Sequence, residues 1–420
     1  MRSAGHTVTF AGFTPENIKN LITANDFRPV SIRPSLSSLG FLLLPFTSGY
    51  VETFTAINLF FSGLSHYTRA ISNVLDEIRP DAVVSDFSFV GACLAAEQKN
   101  IPYVIIYHAG LSFKGPGIPP FGSGLPIGEA WGRKGRLYRF MSDFLEHSVD
   151  NSIAHTRRQL GLAPVEKGYL ACPSSPWLTL VLTAEVIEAP RFPLPPTIFF
   201  VGPCTFGRQN LQKNDFPFDQ LSTDKPKVYV SLGTVFNRKS NVFNKIINAF
   251  AGGHYQLIIS AGGAFPRLRS QRLPPNIILF EGVPQIEVLS HVDVVISHGG
   301  NNTVNETLAA GKPLLVMPVG GEQGDNASKV VYLGVGLRAN ISGSTPQEIG
   351  AKVRRLIEEP AFRQRAREVA KALALTDGPV TAARFIEYVA KNRQPVLRPE
   401  GYPLTVTRET VPPWEFKGKG

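Results

Sequence analysis

The chain has 420 residues, more than one hydrophobic core usually covers, so two domains of roughly 200 residues are expected. Hydrophobic residues make up 43% and charged residues 18%, as in ordinary globular proteins, and no apolar run reaches the roughly 18 residues that a membrane helix needs. The formal net charge of +10 favours anionic partners such as phosphates or an acidic membrane surface, whereas nucleic acid is not expected because no aromatic-interleaved basic motif is present.

The N-terminal half alternates strands and helices. Its first residues, MRSAGHTVTF, lack the basic start and apolar core of a signal peptide, so a cytoplasmic protein is expected. Buried parallel strands are predicted at HTVTFAG (6 to 12), DAVVSDF (81 to 87) and PYVIIYHAG (102 to 110), with a helix at residues 91–100. Strand, helix, strand is the pattern of a doubly wound α/β domain.

Two irregular segments follow this alternation. GPGIPPFGSGLPIG (115 to 128) is too rich in glycine and proline for regular structure, and long loops of this kind often form lids or binding walls. The stretch at 207–226 is polar and has few apolar residues, so we place an interdomain linker there. The sequence therefore predicts an N-terminal domain over residues 1–206.

The second half restarts the alternation. Strands are predicted at KVYVSLGT (227 to 234), QLIISAGG (256 to 263), NIILFEGVP (276 to 284), DVVISHGG (293 to 300) and PLLVMP (313 to 318). Helices between and after these strands extend the second domain over residues 227–392. A proline-rich tail, 393–420, follows, and we expect its last dozen residues to be poorly ordered. The predicted architecture is two Rossmann-like α/β domains with a ligand cleft between them.

A glycine turn follows the first strand of the second domain directly. In SLGT, the hydroxyls of Ser231 and Thr234 and the backbone at Gly233 come at the carboxyl end of the strand, where doubly wound folds bind ligands. Taken alone, this turn is a weak signal.

The motif HGGNNT supplies a stronger signal. His298, the backbone amides beyond Gly300, and the side chains of Asn302 and Thr303 come together at the start of a predicted helix. A diphosphate needs several donors that converge on two charges, and a helix N-terminus offers them. The alternative is that Asn302 or Thr303 only caps the helix.

Three further polar residues lie near this turn. Glu306 is one helical turn beyond Asn302, and a carboxylate there can accept both hydrogens of a ribose diol. Its alternative role is a favourable interaction with the helix dipole. Glu322 and Gln323 follow the strand in PLLVMP, where they could bind sugar hydroxyls or simply face solvent.

These motifs resemble those of a known family. SLGT, GVPQ (282 to 285), HGGNNTVNE (298 to 306) and GEQGDNA (321 to 327) occur in the order and spacing of the UDP-glycosyltransferase signature. GLSFKGPGIPPFGSGLP is similar to the acceptor-side loop of the macrolide and carotenoid glycosyltransferase branch. The resemblance implies the GT-B fold, a UDP-sugar bound by the C-terminal domain with UDP-glucose as the expected donor, and neither a cofactor nor a metal.

The resemblance also implies separate roles for the donor-site residues. Val283 and Gln285 would line the uracil and the ribose, and Glu306 would bind the ribose diol. The diphosphate would be held by Ser231, Thr234, His298, Asn302 and Thr303. Glu322 and Gln323 match an Asp-Gln pair that contacts the transferred sugar, although the acid is one methylene longer here.

The catalytic base is the departure from the family pattern. Inverting members use a His that an Asp orients. Asp86 matches the Asp, with helix capping as its alternative role, whereas the family's first strand and His loop would precede Arg2–Phe10. Either the recorded start is too late, which the intact Asp86 and donor motifs favour, or the chain is truncated and catalytically impaired. His108, which follows PYVIIY, is the candidate substitute base, or else a packed or solvated strand-end residue.

The sequence thus predicts an inverting glycosyltransferase that moves a hexose from a UDP-sugar to a hydroxyl of a lipophilic small molecule, such as a polyketide, a terpenoid or carotenoid, or a flavonoid. Two alternatives stay open. One is a donor-binding or auxiliary protein without a base, and the other is a UDP-sugar epimerase, which the acceptor-side loop argues against. No oligomeric state is predicted.

Overall fold

The computed structural model describes residues 1–33, 50–128, 131–164, 168–169, 172–190, 193–204, 216–233 and 240–416. Throughout these residues the strands form three sheets, and every strand pairing is parallel. The predicted α/β class is therefore confirmed. No helix in these ranges combines the length and the apolar character needed to cross a membrane.

The N-terminal region contains two of the three sheets. A two-stranded sheet pairs β1 (Thr9–Gly12) with β2 (Arg28–Ser31). A four-stranded sheet runs in the order β3 (Val83–Asp86), β4 (Tyr103–Tyr107), β5 (Leu178–Val181), β6 (Ile198–Phe200). The helices are α1 (Glu16–Ala24), α2 (Tyr50–Ser62), α3 (Leu64–Ile78), α4 (Val90–Gln98) and α5 (Gly132–Gln159).

The third sheet has six strands and builds the second domain. Its order is β12 (Gly336–Arg338), β11 (Leu314–Val316), β10 (Val294–Ser297), β7 (Lys227–Ser231), β8 (Gln256–Ser260), β9 (Ile277–Phe280). Its helices, together with those that follow, are α6 (Ser240–Ala249), α7 (Phe265–Arg269), α8 (Gln285–His291), α9 (Asn301–Ala309), α10 (Gln323–Tyr332), α11 (Pro346–Glu358), α12 (Pro360–Ala374) and α13 (Gly378–Asn392). The strand order reverses between β7 and β10, and doubly wound folds bind ligands at such a reversal.

Both faces of the six-stranded sheet are covered, as a parallel sheet requires. Along β7, Val228 and Val230 pack into one core cluster, and Tyr229 between them packs into the other. This alternation follows from the two-residue period of a strand. Because the helices cover both faces, only the strand ends are left to contact a ligand.

Helix α13 packs against a different domain from the one to which the sequence assigns it. The sequence assigns residues 227–392 to the second domain, but Phe385 and Val389 of α13 pack against Val104 and Leu178 of the four-stranded sheet. The apolar face of the helix is the reason, since it covers a sheet face that would otherwise meet water. The C-terminal segment thus returns to the N-terminal region.

The proline-rich tail is packed as far as Phe416, in contrast to the disorder expected for its end. Trp414 stacks on Tyr388 of α13 with ring centroids 4.0 Å apart, and Thr405 forms a bridge with Phe200 at the end of β6. Aromatic packing supplies the apolar burial that composition alone did not reveal. The predicted linker, 207–226, is described only from Phe216, whose buried ring joins the core of the second domain.

Candidate active site

A cleft of about 420 Å³ lies at the carboxyl edge of the six-stranded sheet, at the reversal between β7 and β10. Its size suits a small ligand. Most of the predicted donor-site residues line it: Ser231, Gly233, Val283, Gln285, His298, Gly300, Asn302, Thr303, Glu306 and Glu322. His108 of the N-terminal region also lines it. Thr234 lies outside the described residues, so its role stays a prediction.

The start of α9 is open toward a ligand. Gly300 is the N-cap residue, and no side chain caps the helix, so the capping role considered for Asn302 and Thr303 is not observed. A Cβ placed on Gly300 would lie 2.6 Å from His298 Nε2, which explains the glycine at this position. The first amides of α9 are thus left for a ligand, as an anion site requires.

His298 is a neutral donor candidate beside this helix end. Burial lowers the pKa of the imidazole to about 4, and a backbone hydrogen bond with Ser231 offsets this only in part. Its Nδ1 atom is buried and has no hydrogen-bond partner among the described residues. A buried polar atom of this kind favours a ligand that can complete its hydrogen bonding.

A chain of side chains orients Glu306. The hydroxyl of Tyr229 donates to Gln285 Oε1 at 2.9 Å, and Gln285 Nε2 donates to Glu306 Oε2 at 2.5 Å. Glu306 is buried. Its carboxylate is therefore held at the wall of the cleft, where it can accept hydrogen bonds from a diol. The ribose-binding roles of Gln285 and Glu306 stay predictions.

The side chains of the predicted pair Glu322 and Gln323 lie in different surroundings. Glu322 lines the cleft, whereas Gln323 is buried and does not. The side-chain oxygen of Gln323 accepts hydrogen bonds from the backbone of Val319 at 2.9 Å and of Gly320 at 3.3 Å. Gln323 thus stabilises the turn after β11, because a buried amide oxygen needs partners and the turn provides them.

Asp86 and His108 form a hydrogen-bonded pair at the rim of this cleft. Asp86 Oδ2 lies 2.6 Å from His108 Nδ1. Burial acts to raise the pKa of Asp86, but hydrogen bonds with His108 and Ser88 outweigh it and lower that pKa. The hydrogen bond to Asp86 raises the pKa of His108 against the opposing effect of burial. Asp86 also caps the turn, since its Oδ1 accepts from the Ser88 amide at 2.9 Å.

Asn301, which the sequence did not single out, joins the two halves of the chain at the cleft. Asn301 Nδ2 donates to the backbone oxygen of His108 at 2.6 Å, linking the start of α9 to the end of β4. The two residues are 193 positions apart. The motif HGGNNT contains Asn301, but nothing in the sequence indicates that its partner lies in the other half of the chain.

A second cavity of about 690 Å³ is lined by Phe87 and Ser88, the two residues that follow Asp86. Most of its wall is apolar and comes from Ile57, Phe61, Phe87, Ile118, Pro119, Pro120, Phe121 and Leu145. The Phe87 ring is 6.0 Å from the His108 ring. Residues 115–121 of the predicted loop supply one wall of the cavity, and that an acceptor binds against this wall stays a prediction.

Asp325 of α10 holds that loop against the second domain. Its carboxylate accepts from the Gly122 amide at 2.5 Å and from the Gly124 amide at 2.9 Å, and Arg338 donates to the Gly124 oxygen. Burial raises the pKa of Asp325 to about 6, although the two amides act to lower it. Nothing in the sequence indicates this contact, because the partners of Asp325 are more than 200 residues away in the chain.

A buried ion pair joins the same helix to the N-terminal region. Lys329 Nζ lies 2.5 Å from Glu188 Oε1, and both side chains are buried. The Leu111 amide also donates to Glu188, at 3.3 Å. A buried charge pair is sensitive to the loss of either partner. Helix α10 therefore contacts the donor cleft, the acceptor-side loop and the N-terminal region.

The two Rossmann-like halves and the cleft at their junction define a GT-B glycosyltransferase. The family model described as "UDP-glucoronosyl and UDP-glucosyl transferase" matches residues 134–406, and the chain belongs to this family. The predicted family, the GT-B fold and the enzyme class are thereby confirmed.

Relatives and solved structures agree with this assignment. The chain is 28% identical to 4'-demethylrebeccamycin synthase of Lentzea aerocolonigenes over 75% of each chain. It is also 28% identical to zeaxanthin glucosyltransferase of Pantoea ananas over 80% of this chain and 77% of that protein. The crystal structure of CalG4, the calicheamicin glycosyltransferase, superposes with a TM-score of 0.72 at 23% identity, covering 93% of this chain and 92% of that one.

Proposed function

We propose that this enzyme transfers a hexose from a UDP-sugar, with UDP-glucose as the donor, to a hydroxyl of a lipophilic small molecule, with inversion at the anomeric carbon. The observation that carries the proposal is the pair of Asp86 and His108, 2.6 Å apart, at the rim of the donor cleft. The sugar nucleotide is a co-substrate, and the proposed reaction uses no resident cofactor.

Each part of the proposed donor would have a partner among the residues that line the cleft. Val283 and Gln285 lie where the uracil and ribose would bind, and Glu306 would accept both ribose hydroxyls. The diphosphate would bind the open amides at the start of α9 and a nitrogen of His298. Glu322 would contact the sugar, on the side of the cleft that His108 also lines.

His108 would act as the base. Its Nδ1–H donates to Asp86, which leaves the lone pair of Nε2 to accept the proton of the acceptor hydroxyl. The acceptor oxygen then forms a bond to C1 of the sugar from the face opposite the diphosphate. The bond from C1 to the phosphate oxygen breaks, its electron pair leaves with UDP, and Asp86 stabilises the resulting imidazolium. Attack from the opposite face inverts C1.

The acceptor would occupy the cavity of about 690 Å³ beside the pair. Its apolar wall suits a ring-bearing or polyene acceptor, because burial of apolar surface would supply most of the binding free energy. Ser112 lines it and has a buried hydroxyl without a partner among the described residues, so a polar group on the acceptor would be bound there. The names of the relatives, a rebeccamycin-type synthase and a carotenoid glucosyltransferase, support such acceptors.

The test is an incubation with UDP-glucose and a panel of polyketide, carotenoid and flavonoid alcohols, with products identified by mass spectrometry and their anomeric configuration by NMR. We expect a β-glucoside from at least one acceptor, and loss of product with His108→Ala. Bound UDP with no glycoside for any acceptor would favour the auxiliary protein instead. Equal turnover by His108→Ala would remove His108 from the mechanism, and an α-glucoside would exclude inversion.

A further inference from the structure

Helix α5 presents an apolar stripe to solvent. Leu137, Phe140 and Phe144 are 56%, 69% and 59% exposed. Their spacing of three and four residues places them on one face of the helix. Phe54 of α2 borders the stripe, with its ring 6.0 Å from that of Phe144. A continuous apolar face of this kind on a protein surface indicates an interaction site.

Basic residues surround the start of this stripe. Arg133, Lys134, Arg136 and Arg139 occupy the first turns of α5. At 100° per residue, Arg133 and Arg136 lie on the same face as Phe140. Arg139 stacks over the Trp131 ring at 5.0 Å. Apolar side chains next to basic ones are typical of helices that lie in the interface of an anionic membrane.

The acids on this part of the helix do not cancel the positive charge. Asp143 and Glu146 both pair with Lys114 of the acceptor-side loop, Asp143 at 3.0 Å. The two carboxylates and Lys114 together carry one negative charge, against the four positive charges of the basic residues at the start of the helix. The solvent-facing stripe keeps its excess of arginine, which is the charge that anionic lipid attracts.

The same helix forms a wall of the acceptor cavity. Arg139, Ser142, Asp143 and Leu145 line that cavity, one helical turn or less from the stripe residues. The stripe and the acceptor cavity thus share this part of α5.

We propose that this stripe, defined as Arg133, Arg136, Leu137, Phe140 and Phe144, binds the surface of a bilayer that contains anionic lipid. The helix lies in the plane of the interface, with its apolar side chains among the acyl chains and its arginines at the headgroups. Delivery of a membrane-dissolved acceptor rests on the proposed function, but bilayer binding does not. A second copy of the chain is a poorer occupant, because two-fold pairing would bring together two faces that both carry an excess of positive charge.

Vesicle co-sedimentation tests the proposal with the full chain. We expect binding to phosphatidylcholine vesicles that contain about 30% phosphatidylglycerol, at least about tenfold above binding to phosphatidylcholine alone. Phe140→Ser with Phe144→Ser should lower the partition coefficient about tenfold or more, since each removes a buried apolar contact with lipid. Arg133→Gln with Arg136→Gln should remove the preference for the anionic vesicles.

Matched controls come from other exposed residues. Val380→Ser with Leu397→Ser removes apolar side chains that are 63% and 52% exposed elsewhere, and Arg354→Gln with Arg272→Gln removes two distant charges. These variants should bind vesicles like the wild type. The proposal would be overturned if the control variants lost as much vesicle binding as the stripe variants. It would also be overturned if the double variant Phe140→Ser with Phe144→Ser, called the Phe variant, bound vesicles as well as the wild type.

Two further measurements separate the outcomes. UDP affinity and turnover of a detergent-free soluble acceptor should be unchanged in the Phe variant, which shows that the variant is folded and that the reaction does not need the stripe. A dimer that the Phe substitutions dissociate, without vesicle binding by the wild type, would assign the stripe to a second copy and overturn membrane docking. Vesicle binding without any transferase activity would contradict only the proposed function and would leave membrane docking supported.

Discussion

The carboxylate of Asp86 and the imidazole of His108 meet at 2.6 Å although they are 22 residues apart in the chain. They do so because β3 and β4 are adjacent parallel strands, with Asp86 opposite Ile106 in the register. Asp86 ends β3 and His108 follows β4 directly, so both side chains emerge at the carboxyl edge. The pair is a product of sheet topology.

Replacing Asp86 should reduce turnover more than donor binding. In Asp86→Asn the imidazole loses the acceptor that holds its tautomer, so we expect kcat to fall by about 100-fold or more. The dissociation constant of UDP, measured by calorimetry, should change little because Asp86 does not line the donor cleft. A wild-type kcat in this variant would exclude Asp86 from the mechanism.

The pH dependence of kcat/KM should report His108. The hydrogen bond with Asp86 raises the pKa of His108 above its ordinary value of 6.5, so the neutral base forms only as the pH rises through that higher value. Activity should therefore increase on the alkaline side of 6.5. In Asp86→Asn the rise of kcat/KM with pH should occur at lower pH, because the group that raised the pKa of His108 is gone. If the rise occurs at the same pH in both enzymes, a group other than His108 titrates.

Glu306 should distinguish a ribose from a deoxyribose. Glu306→Gln is expected to weaken UDP binding about tenfold to 100-fold, because a charged acceptor of two hydroxyl hydrogens is lost. Binding of 2'-deoxy-UDP, which offers one of those hydroxyls, should weaken less, so the preference between the two nucleotides should shrink. Glu287→Gln, in the wall of the same cleft, is the matched control. Equal losses for both nucleotides would refute the diol role.

His298 should take up a proton when a diphosphate binds. Burial lowers its pKa to about 4 in the free enzyme, and a neighbouring negative charge should raise that value. Calorimetry of UDP binding near pH about 5, in buffers with different ionisation enthalpies, should therefore show proton uptake. His298→Gln should abolish it. A binding enthalpy that does not depend on the buffer would contradict the contact with the phosphate.

Asp325 should make stability depend on pH with a defined sign. Its pKa is raised from 3.8 to about 6, so the folded state binds the proton more tightly than the unfolded chain. The stabilising effect is fully present below 3.8 and is lost as the pH rises through about 6. Urea unfolding should show the wild type losing roughly 3 kcal/mol relative to Asp325→Asn across this window. If the wild type instead gained free energy of unfolding relative to Asp325→Asn as the pH rises, the raised pKa of Asp325 would be refuted.

The sequence by itself determined the α/β class, the donor motifs and the family. This was possible because Ser231 and His298 lie at or just beyond strand ends of one sheet, and Glu306 lies on the helix that follows one of these strands. Local patterns of apolar strands and glycine turns already indicate such positions. Glu322 could be placed by the same argument. Each of these assignments depends on short segments whose period and turn chemistry are visible in the chain.

The tertiary structure alone decided which distant groups meet. Whether His108 would approach Asp86 or only face solvent depended on the strand register, and Asp325 meets Gly122 across 203 residues. Gln323 turned inward because the buried turn after β11 needed a hydrogen-bond partner, and α13 returned to the N-terminal sheet to cover an apolar face. Local sequence patterns do not predict such contacts, because they form only when elements that are distant in the chain pack together. Packing then buries apolar surface and pairs buried polar groups.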